Sequence, residues 1–88
     1  MNEDIELIMW HIITRLQNMS KWGGAHSELS RVVKSLPSRY TESAQAKKLV
    51  QKAIKNLVKL DFIGIYKKTR EDHVSLNQRK VKEIKEFS

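Results

Sequence analysis

The chain has 88 residues, of which 40 % are hydrophobic and 31 % charged, with a formal net charge of +7 and no cysteine. This composition indicates one folded domain over residues 1–88 with a small core, and it excludes a disulfide framework and a thiolate metal site. No apolar run approaches the roughly 20 residues of a membrane span, so we expect no membrane segment and a cytoplasmic protein.

The first predicted element is a helix over residues 4–19. Leu7, Trp10 and Thr14 form a narrow stripe on one side of this helix. The opposite side is apolar at helical spacing and holds Ile5, Ile8, Met9, Ile12, Ile13, Leu16 and Met19. A helix that is apolar on two sides is either enclosed by its own domain or shared with a partner. The pattern leaves open whether Trp10 packs within its own chain or contacts a second copy.

A second, shorter helix is predicted over residues 28–36, after a loop that contains two consecutive glycines. Ser27 is its predicted N-cap, and Pro37 ends it because proline cannot continue a helix. A turn of about four residues follows, and Thr41 is the predicted cap of the next helix. Two helices joined by a turn this short are typical of a helix-turn-helix.

The third helix, over residues 41–60, is the central element of the sequence. One of its sides is apolar, and the other carries lysines at spacings of four, three and four. No Asp or Glu occurs from Ser43 to Leu60, whereas solvated helix faces usually mix both signs. An anionic partner is therefore predicted for this face. The lysines are Lys48, Lys52, Lys55 and Lys59, and the apolar side holds Ala46, Leu49, Val50, Ala53, Ile54, Leu57 and Leu60, with Val58 at its edge.

After this helix the apolar residues alternate with period two, which predicts a β-hairpin. Its strands lie around residues 62–66 and 74–76, and a polar loop over residues 67–72 joins them. Asn77 is the predicted cap of a closing helix over about residues 78–87. The predicted fold is α+β, mainly α: a winged helix-turn-helix domain with three helices, a β-hairpin wing and a C-terminal helix.

Several short motifs resemble those of a group of small archaeal winged helix-turn-helix proteins. They are Gly23-Gly24-Ala25-His26, Pro37 before the long helix, and His73-Val74-Ser75-Leu76-Asn77 at the end of the wing. The resemblance covers about residues 20–87 and implies the winged-helix fold and an archaeal, DNA-binding-like protein. The chain departs from the expected pattern at Arg70-Glu71-Asp72, because a glycine is expected near the wing tip.

The predicted function is binding to double-stranded DNA, as a transcriptional regulator. The 41–60 helix would lie in the major groove, where Gln can bond adenine and Lys can bond guanine. The 67–72 wing would contact the backbone or minor groove. The predicted DNA-binding residues are Arg39, Ser43, Gln45, Lys47, Lys48, Gln51, Lys52, Lys55, Lys67, Lys68 and Arg70.

Other partners remain open at this stage. Winged helices also serve as protein-interaction modules in larger complexes, so a protein is the alternative partner of the basic face. RNA is a weaker alternative, because its deep, narrow major groove does not suit a long helix. A homodimer is predicted because pairing lets a small domain read two half-sites. The predicted interface residues are Leu7, Trp10, Ile84 and Phe87.

The sequence does not predict an enzyme, a metal site or a cofactor. His11, His26 and His73 are far apart in the chain, and none stands at metal-ligand spacing with another ligand residue. His26 is expected to bond within its loop and His73 to begin a strand. The chain also lacks the glycine pattern of a phosphate-binding or dinucleotide-binding loop.

Overall fold

The computed structural model describes residues 2–88 and has an α+β, mainly helical fold. Over these residues the chain forms four α-helices and one three-stranded antiparallel sheet, an arrangement compatible with a winged helix-turn-helix. Two short 3-10 helices precede α3 and α4. The elements are α1 (Glu3–Asn18), β1 (Ser27–Glu28), α2 (Leu29–Lys34), a 3-10 helix (Ser38–Tyr40), α3 (Ala44–Lys59), β2 (Ile63–Lys68), β3 (Glu71–Leu76), a second 3-10 helix (Gln78–Lys80) and α4 (Val81–Phe87).

The core forms between α1, α3 and the sheet. The apolar side predicted for α1 is buried except for Met19, which lies beyond the last turn of the helix. The apolar side predicted for α3 is also buried over most of its length, but Leu60 is 43 % exposed. The prediction for Leu60 is wrong because the helix ends at Lys59 and Asp61, with φ 63°, turns the chain in another direction.

Strand β1 is an element that the sequence pattern does not predict. It pairs with β3, with Ser27 opposite Val74, and the strand order is β1-β3-β2. Ser27 is therefore a buried strand residue and not the N-cap of α2, so that prediction is wrong. Glu28 occupies the N-cap position without a side-chain cap bond. Two residues are too few to produce a readable alternation.

The hairpin of β2 and β3 is longer than predicted and its turn is shorter. The strands pair from Ile63 opposite Leu76 to Lys68 opposite Glu71, so most of the predicted 67–72 loop is strand. Only Thr69 and Arg70 form the turn. Thr69 has φ 56°, a left-handed conformation that favours glycine. The turn thus has the geometry for which a glycine was expected, with threonine in its place.

The connection between α2 and α3 is longer than the predicted turn of four residues. It spans nine residues, from 35 to 43, and contains the first 3-10 helix. Ser43 is the N-cap of α3, since its Oγ accepts the Ala46 backbone N–H at 3.0 Å. Thr41 instead donates its hydroxyl to the Ser38 carbonyl at 3.2 Å, so its prediction as the cap is wrong.

The closing segment begins as predicted, but as a 3-10 helix. Asn77 caps that helix by accepting the Arg79 N–H at 3.0 Å, and the α-helix begins only at Val81. Ile84 is fully buried in the core of its own chain. It therefore has no surface to offer a second copy, and its assignment to a dimer interface is wrong.

Candidate nucleic-acid interface

The exposed side of α3 is a continuous basic face. Helix α3 packs against α1 and β2, so its polar side turns to solvent. The basic face, defined here as the exposed polar side chains of α3, has helical spacing because Ser43 fixes where the first turn begins. Its members are Gln45, Lys47, Lys48, Gln51, Lys52, Lys55 and Lys59, all exposed.

The charge of this face is not compensated within the structure. No acidic residue lies between Ala44 and Lys59. Over residues 2–88 the only ion pair joins Lys80 to Glu83 at 3.8 Å, outside α3. Like charges three or four residues apart on a helix repel one another. An anion lying against the face would remove that repulsion, which is the electrostatic condition for binding a polyanion.

The turn of the hairpin lies beside α3. Gln51 and Ile54 of α3, together with Arg70, Glu71 and Asp72, line a cleft of about 410 Å³. The basic face therefore borders the hairpin turn at Gln51. The remaining walls of this cleft come from α2, with Leu29, Ser30 and Val33.

Lys67 and Lys68 are both exposed, but they point to opposite sides of the hairpin. Lys67 shares its side with Ile63, which is buried against the helices, whereas Lys68 shares its side with Tyr66. The two lysines therefore leave the hairpin from opposite faces. Lys67 is the one on the side of α3.

Arg39 lies on the 3-10 helix that precedes α3, and its guanidinium lies over the ring of Tyr40. The Arg39 guanidinium carbon is 4.8 Å from the centre of the Tyr40 ring, a cation–π distance. Tyr40 itself is only 4 % exposed, so the ring is a rigid support. The guanidinium keeps its exposed position near the beginning of α3, where a phosphate would also meet the helix N-terminus.

All eleven residues predicted to bind DNA are exposed in the structure. In the fold, Gln51 and Arg70 line the same cleft, whereas Lys67 and Lys68 point to opposite faces of the hairpin. The Oγ of Ser43 accepts the Ala46 backbone N–H as the helix cap. This bond uses a lone pair of the oxygen, so the hydroxyl hydrogen can still donate to a phosphate oxygen at the helix N-terminus.

The prediction that His26 bonds within its loop is wrong, because His26 contacts His73 on β3. His73 is also the third residue of that strand and not its first. The Nδ1 atoms of the two histidines are 2.9 Å apart, and their rings meet edge to face at 4.9 Å. The pairing of β1 with β3 brings His26 and His73 together. The sequence does not predict this contact because it does not predict β1. Partial burial and then nearby positive charges, Lys68 first, lower the pKa of His26.

The two α1 residues of the predicted dimer interface are partly exposed to solvent. Leu7 is 41 % and Trp10 is 38 % exposed, and both line a surface cleft of about 310 Å³ with Phe87. Trp10 also contacts its own chain, since its indole Nε1–H donates to the Ser88 carbonyl at 3.3 Å. Phe87 is partly buried, with its ring 6.1 Å from that of Phe62.

Comparisons with known proteins identify no relative. No family model, curated protein or solved structure matches the chain. Within residues 2–88, no helix is both long enough and apolar enough to cross a membrane.

Proposed function

We propose that the chain is a winged helix-turn-helix protein that binds double-stranded DNA and acts as a transcriptional regulator. The observation that carries this proposal is the basic face of α3, which is exposed, free of acids and adjacent to the hairpin turn. A major groove about 12 Å wide accommodates one helix. The basic face would present lysine and glutamine to this groove, and these side chains can bond phosphate oxygens and base edges.

The order of the elements supports the winged-helix assignment. A short strand lies between the first two helices, and the hairpin follows the third helix directly. The strand order β1-β3-β2 joins that short strand to the hairpin in one sheet. In this assignment α3 is the recognition helix and the β2–β3 hairpin is the wing. The motif resemblance described above points to the same fold and to an archaeal source.

The proposal assigns the contacts by their position along α3 and in the wing. Gln45, Lys48 and Gln51 lie in the N-terminal half of α3 and would reach base edges, while Lys55 would meet phosphate further along. Arg70 at the wing tip would contact the adjacent backbone or minor groove. We further propose that the protein binds as a homodimer through the cleft of Leu7 and Trp10, so that two wings and two helices read two half-sites.

A charge-reversal experiment tests the proposal. Lys48→Glu/Lys52→Glu should abolish binding to a mixed-sequence duplex at low salt, measured by fluorescence anisotropy. Lys82→Glu/Lys85→Glu is the matched control, because it changes the net charge equally on α4, whose lysines are also exposed. The control should retain most of the affinity. Equal loss in both variants, with circular dichroism unchanged, would mean that only net charge matters and that α3 does not occupy the groove.

A protein-interaction module is the second candidate function. Val58 and Leu60 at the C-terminal end of α3 are 44 % and 43 % exposed, and exposed apolar side chains beside lysines suit a protein surface better than DNA. A pull-down with the wild-type chain and with Val58→Asp/Leu60→Asp separates the candidates. A stoichiometric protein partner that is lost with this variant, combined with no affinity for duplex DNA, would favour the module.

A further inference from the structure

Three potential metal ligands meet where β1 pairs with β3. Glu28 stands directly opposite His73 in the antiparallel register, and Glu71 precedes His73 by two residues on the same strand. Side chains opposite each other, or two apart along a strand, point to the same face of a sheet. One carboxylate oxygen from each glutamate and one ring nitrogen of His73 all lie within 4.8 Å of one another.

The two carboxylates are available to a cation. Over residues 2–88 neither Glu28 nor Glu71 forms an ion pair, although Lys68 stands opposite Glu71 in the hairpin. Glu71 is exposed, and Glu28 and His73 are half-buried, so an ion can enter from solvent while part of the site is shielded. Two carboxylates this close repel each other, and a divalent ion between them would replace that repulsion with two favourable contacts.

His26 orients the imidazole of His73. The 2.9 Å contact joins the Nδ1 atoms of the two rings, so one of them carries a proton and the other accepts it. When His73 donates from Nδ1, its Nε2 has a free lone pair for a metal ion. Metal-binding histidines commonly use their second nitrogen in this way, which fixes the ring and its tautomer.

We propose that Glu28, Glu71 and His73 form a binding site for a divalent transition-metal ion such as Zn²⁺, with His26 as a positioning residue. One imidazole and two carboxylates suit borderline ions of this class, whereas Mg²⁺ and Ca²⁺ prefer oxygen ligands alone. Bond lengths of about 2.0–2.2 Å bring tetrahedral ligands to roughly 3.4 Å from one another. The ligand atoms now lie within 4.8 Å of one another. Rotation of the Glu28 and Glu71 side chains would bring them to the shorter distance.

The site would join the edge strand β1 to the hairpin. Glu28 belongs to β1 and also precedes α2, while the other two ligands belong to β3. A bound ion would therefore hold the N-terminus of α2 against the hairpin. Because the ligands and the basic face are different residues, the site can be tested without DNA, and its failure would leave the proposed function untouched.

Isothermal titration of the full chain with ZnCl₂ tests the site. Wild-type protein should bind one ion per chain, and Glu71→Gln should weaken binding at least tenfold. Glu71 is exposed, so this variant keeps the fold. His73→Gln should weaken binding further, whereas His11→Gln, which removes a histidine on α1, should leave it unchanged. Mg²⁺ in place of Zn²⁺ should give no saturable heat.

The visible absorption of bound Co²⁺ tests the role of His26. His26→Ala should lower Co²⁺ affinity by about 10–100-fold and alter the spectrum, while His26→Asn, which retains a hydrogen-bonding side chain, should restore part of both. No saturable Zn²⁺ binding by the wild type would overturn the proposal. So would binding that survives in both Glu71→Gln and His73→Gln.

Discussion

Gln51 on α3 and Arg70 in the hairpin turn line the same cleft of about 410 Å³, although 19 positions separate them in the chain. The hairpin turn therefore borders the middle of the basic face. If α3 occupies a groove as proposed, the Gln51 amide and the Arg70 guanidinium would lie close to the same stretch of duplex. The two side chains should therefore contribute to binding in different ways, which salt titrations can separate.

Arg70→Gln should lower both the affinity for duplex DNA and its dependence on salt. About six phosphate contacts predict a slope of log affinity against log salt near −5, at about −0.9 per phosphate. Loss of one contact should make that slope less steep by about 0.9. Gln51→Ala should leave the slope unchanged and weaken discrimination between sequences. Fluorescence anisotropy at several salt concentrations measures both, and identical slopes for Arg70→Gln and wild type would rule out a phosphate contact at the turn.

Leu7→Glu should convert the proposed dimer into a monomer, because it places a charge in the cleft that Leu7 shares with Trp10. Leu60→Glu is the matched control, since Leu60 is 43 % exposed and Leu7 is 41 % exposed. Sedimentation equilibrium at tens of micromolar should give twice the chain mass for wild type and for Leu60→Glu. A monomeric wild type at that concentration would remove the homodimer from the proposal.

Ile84→Ala should act on stability and not on association. Ile84 is fully buried within its own chain, so the truncation leaves a cavity and should cost about 2–5 kcal/mol of unfolding free energy. Leu7→Ala, at an exposed position, should cost far less. Urea denaturation of both variants gives the comparison. A small loss for Ile84→Ala would mean that α4 packs more loosely than the structure shows.

The sequence predicts the long helices well because their physics is local and repeated. Helix α1 has six buried side chains and α3 has five, all at helical spacing. Because several positions repeat the same period, each one supports the assignment of a helix. Alternation likewise identifies β2 and β3. The exposed lysines follow from the same periodicity, since a residue opposite the apolar side of a packed helix must face solvent.

Features that depend on distant pairing could not be predicted in the same way. Strand β1 exists because Ser27 and Glu28 meet β3, and two residues carry no period of their own. The contact of His26 with His73 and the proximity of Glu28 to Glu71 follow from that pairing. The exact position of the turn within the predicted 67–72 loop was not predicted for a different reason: the left-handed backbone of Thr69 is uncommon for a β-branched residue, so composition gives no signal for it.

The start of α3 offers a direct test of the corrected cap. Ser43→Ala should destabilise the protein by about 0.5–2 kcal/mol, because it removes the acceptor of the Ala46 N–H. Thr41→Ala is the control: it deletes an exposed hydroxyl bond to the Ser38 carbonyl and should cost less. Thermal and urea unfolding measure both changes. A larger loss for Thr41→Ala would place the cap two residues earlier. An earlier cap would also move the free N–H groups of the first turn, which the proposed phosphate contact uses, so the cap bears on the proposed DNA binding as well as on stability.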